Sequence, residues 1–122
     1  MSARDELDHA FAYDRDGYEA EAIPHYERAI AAGLPDELLA KAMLGLGSSL
    51  RNVDRTDESI RVLEEAVARF SDDQALPVFL AFSLWSAGRR AEAFALLADR
   101  LGDGSGYERA IGEYSAQIRG EG

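Results

Sequence analysis

The sequence contains no cysteine, so disulfides, zinc thiolate sites and cysteine nucleophiles are excluded from the start. Cations are scarce as well. Thirteen Lys and Arg stand against twenty-three Asp and Glu, a net charge of −10 over 122 residues. Such a surface repels phosphate backbones and anionic lipid, so neither nucleic acid nor a membrane is expected as a partner. No apolar stretch approaches the roughly 20 residues that cross a bilayer. The stretch from Met1 to Phe11 carries three acids and no basic patch followed by an apolar run. No secretory leader is read there, and a cytoplasmic location is the expectation. Only three prolines interrupt the chain.

What remains is 47% apolar and 30% charged, the balance of a folding globular chain rather than a disordered one. Its length suits one domain with a modest core. Apolar residues recur every three to four positions, which predicts an all-helical chain. Breaks fall at Asp16-Gly17, Gly33 to Asp36, Asn52 to Arg55, Ser71 to Asp73, Gly88 and Gly102 to Gly106, leaving seven segments of helical length. Gly17 and Gly88 are placed to end helices, Thr56 or Asp57 to open one, and Ser71 with Gln74 to form a capping box. Pro77 lies near a first turn, where a missing amide costs little, and Pro24 is read as an interior position rather than a boundary.

The segments align with one another. Leu46 and Leu80, Leu50 and Leu84, and Leu63 and Leu97 are each 34 residues apart. Tyr13 and Leu50, Tyr26 and Leu63, and Ala29 and Ala66 are each 37 apart. A longer turn around Gly33 to Glu37 accounts for the difference and keeps the helices in register. Gly17, Asp54 and Gly88 obey the same two spacings. A fixed period of this size marks stacked helix pairs. Small residues at Ala10, Ala22, Gly47, Ser59, Ala81 and Ala93 let the two helices of a pair approach, and large ones fill the groove of the next pair.

On these residues the chain resembles the tetratricopeptide-repeat family. Leu46-Gly47, Leu50, Ser59, Leu63 and Ala66 carry the pattern in the second unit. Ala10, Tyr13, Ala22, Tyr26 and Ala29 carry it in the first, and Leu80, Ala81, Leu84, Ala93 and Leu97 in the third. His9, Ser71 and Arg100 depart from it. The resemblance implies an all-α, right-handed solenoid of three antiparallel helix pairs, at about 4–36, 38–71 and 73–103. Tyr107, Ala110, Ile111, Tyr114 and Ile118 recur at helical spacing, so a seventh, capping helix is expected at about 106–119.

None of the polar clusters reads as a catalytic constellation. His9 and His25 are explained by ordinary repeat positions, with no closely spaced ligands beside them. Asp14, Asp16 and Gly17 fail the spacing of a calcium loop. Gly102 to Gly106 follows no strand and has no adjacent lysine, so it reads as a joint rather than a phosphate cradle. Ser48 and Ser49 lack the strand-turn-helix setting of a nucleophile. Neither an enzyme nor a cofactor or metal is expected.

In the family the first helix of each pair lines a groove that receives peptides. The resemblance places Leu7, Phe11 and Arg15 there from the first unit, Leu44, Ser48 and Arg51 from the second, and Val78, Phe79, Phe82 and Trp85 from the third. Leu7, Phe11, Gly45, Ala75 and Phe79 stand where a carboxylate clamp would need lysines, asparagines and an arginine, so that clamp is absent. The segment around Val78 to Trp85 is apolar on every side, which calls for a cover. Three covers are open: the last helix folding back, a second copy in a homodimer, or a protein or peptide held on Trp85, Phe82, Phe11 and Leu7 and oriented by Arg51 and Arg15.

Overall fold

The computed structural model describes residues 1–102, and the expected seventh helix lies outside the described residues. Six helices follow one another: α1 (Ala3–Arg15), α2 (Glu19–Ala32), α3 (Asp36–Asn52), α4 (Thr56–Arg69), α5 (Ala75–Ser86) and α6 (Arg90–Gly102). No strand occurs among the described residues. Each helix packs on its successor, and α3 also touches α1 and α5, whereas α2, α4 and α6 do not meet one another. The first helices of the pairs therefore form the tight inner layer of a curved stack, and the second helices splay outward.

The turn inside each pair is the same structure three times over. Tyr18, Arg55 and Arg89 donate their amides to the carbonyls of Tyr13, Leu50 and Leu84, at 2.8, 2.8 and 2.9 Å. One residue earlier, Gly17, Asp54 and Gly88 donate to Asp14, Arg51 and Trp85. This double bond pattern closes a helix only when the residue before the last donor is left-handed. Gly17, Asp54 and Gly88 stand at φ 85°, 66° and 80°. The period read along the chain is thus a period of turn geometry.

Helix starts were less legible. α1 opens with a capping box in which Ser2 Oγ accepts from the Asp5 amide and the Asp5 carboxylate accepts from the Ser2 amide. At α5 the expected box of Ser71 and Gln74 does not form. Asp73 Oδ1 instead accepts from the amides of Ala75 and Leu76, at 2.9 and 3.0 Å. A single carboxylate oxygen, with two lone pairs, satisfies two orphan amides where a serine two residues further out reaches neither. Pro77 is the third residue of α5, and Pro24 is accommodated inside α2.

Two clusters form the core, one on Leu7, Ala10, Ile23, Tyr26 and Leu46, the other on Leu39, Leu63, Leu76, Leu80 and Leu84. Close helix approach depends on residues without bulk. A Cβ on Gly47 would stand 2.5 Å from Leu63 Cγ, and one on Gly45 would collide with the Tyr26 ring. Ser59 Oγ donates to the Gly47 carbonyl at 2.6 Å and, having one proton, must accept from Ser83 Oγ at 2.7 Å. That buried chain ties α3, α4 and α5 together. Tyr13 departs from its expected role. Its counterparts Leu50 and Leu84 are buried, yet it is 38% exposed, because α1 packs only on α2 and α3.

Candidate functional site

The inner layer presents one register position from each pair side by side. Phe11, Ser48 and Phe82 share that position, since they are separated by 37 and then 34 residues. Neighbouring helix axes lie about 8–10 Å apart. By that register a small position lies between two aromatic ones along the successive first helices. Phe11 is 37% and Phe82 46% exposed. Phe11 meets the Tyr26 ring edge-on at 6.0 Å, and Phe82 meets Phe79 edge-on at 5.6 Å. Both rings are thereby held by the scaffold with part of their surface free.

Arg51 lies over the Phe82 ring, 5.7 Å from its centroid. It makes no ion pair among the described residues, and its buried Nε has no hydrogen-bond partner. Arg15, by contrast, pairs with Asp16 on the open surface. Leu44 and Ser48 are half-buried on α3.

Not every residue expected in the groove lies there. Leu7 is fully buried in the first core cluster and offers nothing to a partner. It packs among residues of α2 and α3, whereas its register counterparts Leu44 and Val78 are half-buried and exposed. Phe79 is half-buried against the second cluster. Val78 and Trp85 line clefts shared with α6 and not with α3 or α4. Val78 lines one with Pro77 and Leu97. Trp85 lines another, of about 340 Å³, with Ala81, Phe82, Ala93, Phe94 and Leu97. Phe82 sits at the corner between the inner layer and this cleft.

The polar groups that cluster elsewhere are structural. Glu6, buried between α1 and α2, accepts from His25 Nδ1 at 2.6 Å and from Arg28 Nε at 3.0 Å. The hydrogen bond from His25, and behind it the Arg28 guanidinium, hold the Glu6 carboxyl below its ordinary range against the opposing effect of desolvation. His25 stacks on His9 and Tyr13, with centroids 5.3 and 5.4 Å away. Tyr26 donates to Asp14 Oδ2 at 2.6 Å, and burial together with that carboxylate pushes its hydroxyl well above the ordinary tyrosine range. Among the described residues no three His, Cys, Asp or Glu side chains gather as metal ligands. No described helix is long and apolar enough to cross a membrane.

Sequence reasoning missed the Glu6, His25 and Arg28 cluster, because its members are 19 and 22 residues apart on different helices. The only local signal was a lone histidine at a repeat position facing an acid on the paired helix. Comparison with known proteins adds one finding: the family model of the tetratrico peptide repeat matches residues 4–118. No curated protein and no solved structure matches the chain.

Proposed function

The chain belongs to the tetratricopeptide-repeat family, and from that premise we propose that it is a protein–protein interaction module whose inner layer takes an apolar polypeptide segment. The observation that carries this reading is the column Phe11, Ser48 and Phe82, two half-open aromatic rings flanking a small residue. Side chains of a bound segment would enter the notch over Ser48 and contact Phe11 on one side and Phe82 on the other. Exposed aromatic rings held rigid by the fold are the side chains that dominate binding energy at interfaces. Arg51, without an ion pair of its own among the described residues, would orient the segment through an acidic group beside Phe82. Leu44 and Phe79 extend the apolar floor. This reading involves no catalysis and no cofactor, and it fits a protein of the cytoplasm.

The test uses peptides selected on the intact protein from a random display library, then titrated against Phe11→Glu and Ser48→Arg variants. Each variant is expected to weaken binding about tenfold or more, as loss of a central anchor does, with the melting temperature held within a few degrees. Peptides that bind both variants as tightly as the parent would overturn the groove assignment.

A further inference from the structure

The outer side of the stack carries a cleft away from the inner layer. Because α2 and α4 do not meet, α3 lacks a direct cover between them. The opening, about 330 Å³, has Leu39, Met43 and Leu46 of α3 as its floor, with Ile30 and Leu34 on one side and Val62 of α4 on the other. The floor residues keep 8%, 6% and 6% of their surface open, where Leu7, Leu63 and Leu76 of the same core keep none. The wall residues are half-buried, and each borders both core clusters, so the cleft follows the seam between the two.

A local departure from the repeat builds it. The second helices end in register, Ala32 and Arg69 being 37 residues apart, but α3 begins at Asp36, five residues before Lys41, the counterpart of the Ala75 that opens α5. The three residues by which the first spacing exceeds the second are taken up in that extra turn. It contributes Leu39 to the cleft, and the link before it contributes Leu34. Their counterparts at the next junction are Asp73 and Ser71, and the cleft there is lined by Ser71, Asp72, Gln74 and Arg100 beside its apolar residues. An aliphatic outer cleft is thus a feature of the first junction and not of the repeat in general.

Two charged groups stand at its mouth. Arg69 is committed elsewhere: its Nη2 donates to Asp36 Oδ1 at 3.2 Å, and its guanidinium lies 5.5 Å from the Phe70 ring centroid. Glu65 is exposed and makes no ion pair among the described residues. Arg61, a turn away on the same helix, neither pairs with it nor lines the cleft. One uncompensated negative charge therefore overlooks an aliphatic floor. The volume lies at the small end of ligand pockets, which run from about 300 to 1,000 Å³. A dry cavity of about 150 Å³ already holds a benzene ring, so this one has room for an alkyl chain.

We propose that the cleft binds a small aliphatic ammonium ion, its alkyl chain along Leu39, Met43 and Leu46 and its head on the Glu65 carboxylate. The chain leaves water, while the head stays at the rim and remains hydrated, so no charge is buried without a partner. A carboxylate head would meet Glu65 and Asp36 instead, and an uncharged head gains nothing from either. The net charge of −10 favours the same sign of ligand. The inner layer, where Arg51 is the unpaired charge, selects the opposite sign. The cleft shares no residue with Phe11, Ser48 and Phe82, so failure of one reading leaves the other standing.

Met43 is one of two methionines, and the other, Met1, is 76% exposed at the chain start. The full chain, labelled with methyl-¹³C methionine, is titrated by NMR with octylamine, octanol and octanoate at neutral pH. Salt at about 0.15 M screens charges more than about 8 Å away, so the comparison reads the mouth of the cleft. Octylammonium is expected to shift the Met43 methyl saturably, to leave the Met1 methyl in place, and to bind about fivefold more tightly than octanoate, the ratio one exposed charge pair supports. Glu65→Lys should reverse that order. Glu21→Lys, an equal change of net charge at an exposed position outside the cleft, should keep it. Val62→Phe should fill the cleft and abolish the shift; if circular dichroism shows that variant unfolded, the reversal in Glu65→Lys decides. No saturable shift of Met43, a Met1 methyl moving in parallel, or an unchanged order in Glu65→Lys would each overturn the proposal. Reversal in Glu21→Lys as well would overturn it by assigning the preference to net charge alone.

Discussion

Asp54 occupies a left-handed backbone position, φ 66°, at which both of its counterparts are glycine. A side chain there costs energy that glycine avoids, although aspartate tolerates the region better than most residues. Its amide and that of Arg55 still close α3 as their counterparts close α1 and α5. Asp54→Gly should therefore raise stability by about 0.5 kcal/mol, strain relief being partly offset by the entropy of a freer unfolded chain. Denaturant unfolding at neutral pH checks this, and a lower midpoint in the variant would refute it. The position was visible as a spacing, because Gly17 and Gly88 announced a turn that Asp54 had to share. What Asp73 does at the start of α5 was not visible, since Ser71, Asp72 and Asp73 are all acceptable caps and only the path of the chain selects one.

Helices α3 and α4 come together where Gly47 faces Leu63. With a Cβ already 2.5 Å from Leu63 Cγ, a larger side chain has no room unless the two helices part. Gly47→Leu is expected to cost about 1–3 kcal/mol, measured as a fall in unfolding free energy with helical circular dichroism retained. A variant as stable as the parent would show that the pair does not depend on this approach. The pairing was legible from the small-residue pattern, which is a statement about contact distance between helix faces. The buried link from Ser83 through Ser59 to the Gly47 carbonyl was not, because at those positions serine reads simply as small. Only the packing of three helices around one point turns that small residue into a hydrogen-bond donor.

Over the whole molecule, a net charge of −10 coexists with carboxylates that are individually well placed. Asp5, held by the Ser2 amide and hydroxyl, Glu6, held by His25 and Arg28, and Glu92, held by Arg89, all titrate below their ordinary values of 3.8, 4.5 and 4.5. A depressed carboxyl contributes stability that is fully present above its unfolded value and is lost as pH falls through its folded value. Protonation also relieves repulsion among the unpaired acids, but exposed charges more than about 8 Å apart are screened at physiological salt. The denaturant midpoint should accordingly be flat above about pH 5 and fall below pH 4.5, and Glu6→Gln should flatten that fall, as a titration of unfolding midpoints would show. By itself the sequence determined the period, the turns and the alternation of small and large residues, because each is set by local backbone preference and by spacing along one helix. Only the tertiary structure decided that Leu7 is core and that Val78 and Trp85 line clefts against α6. Which neighbour covers a given helix face depends on elements far apart in the chain, and in a curved stack that differs between its first pair, its middle and its end.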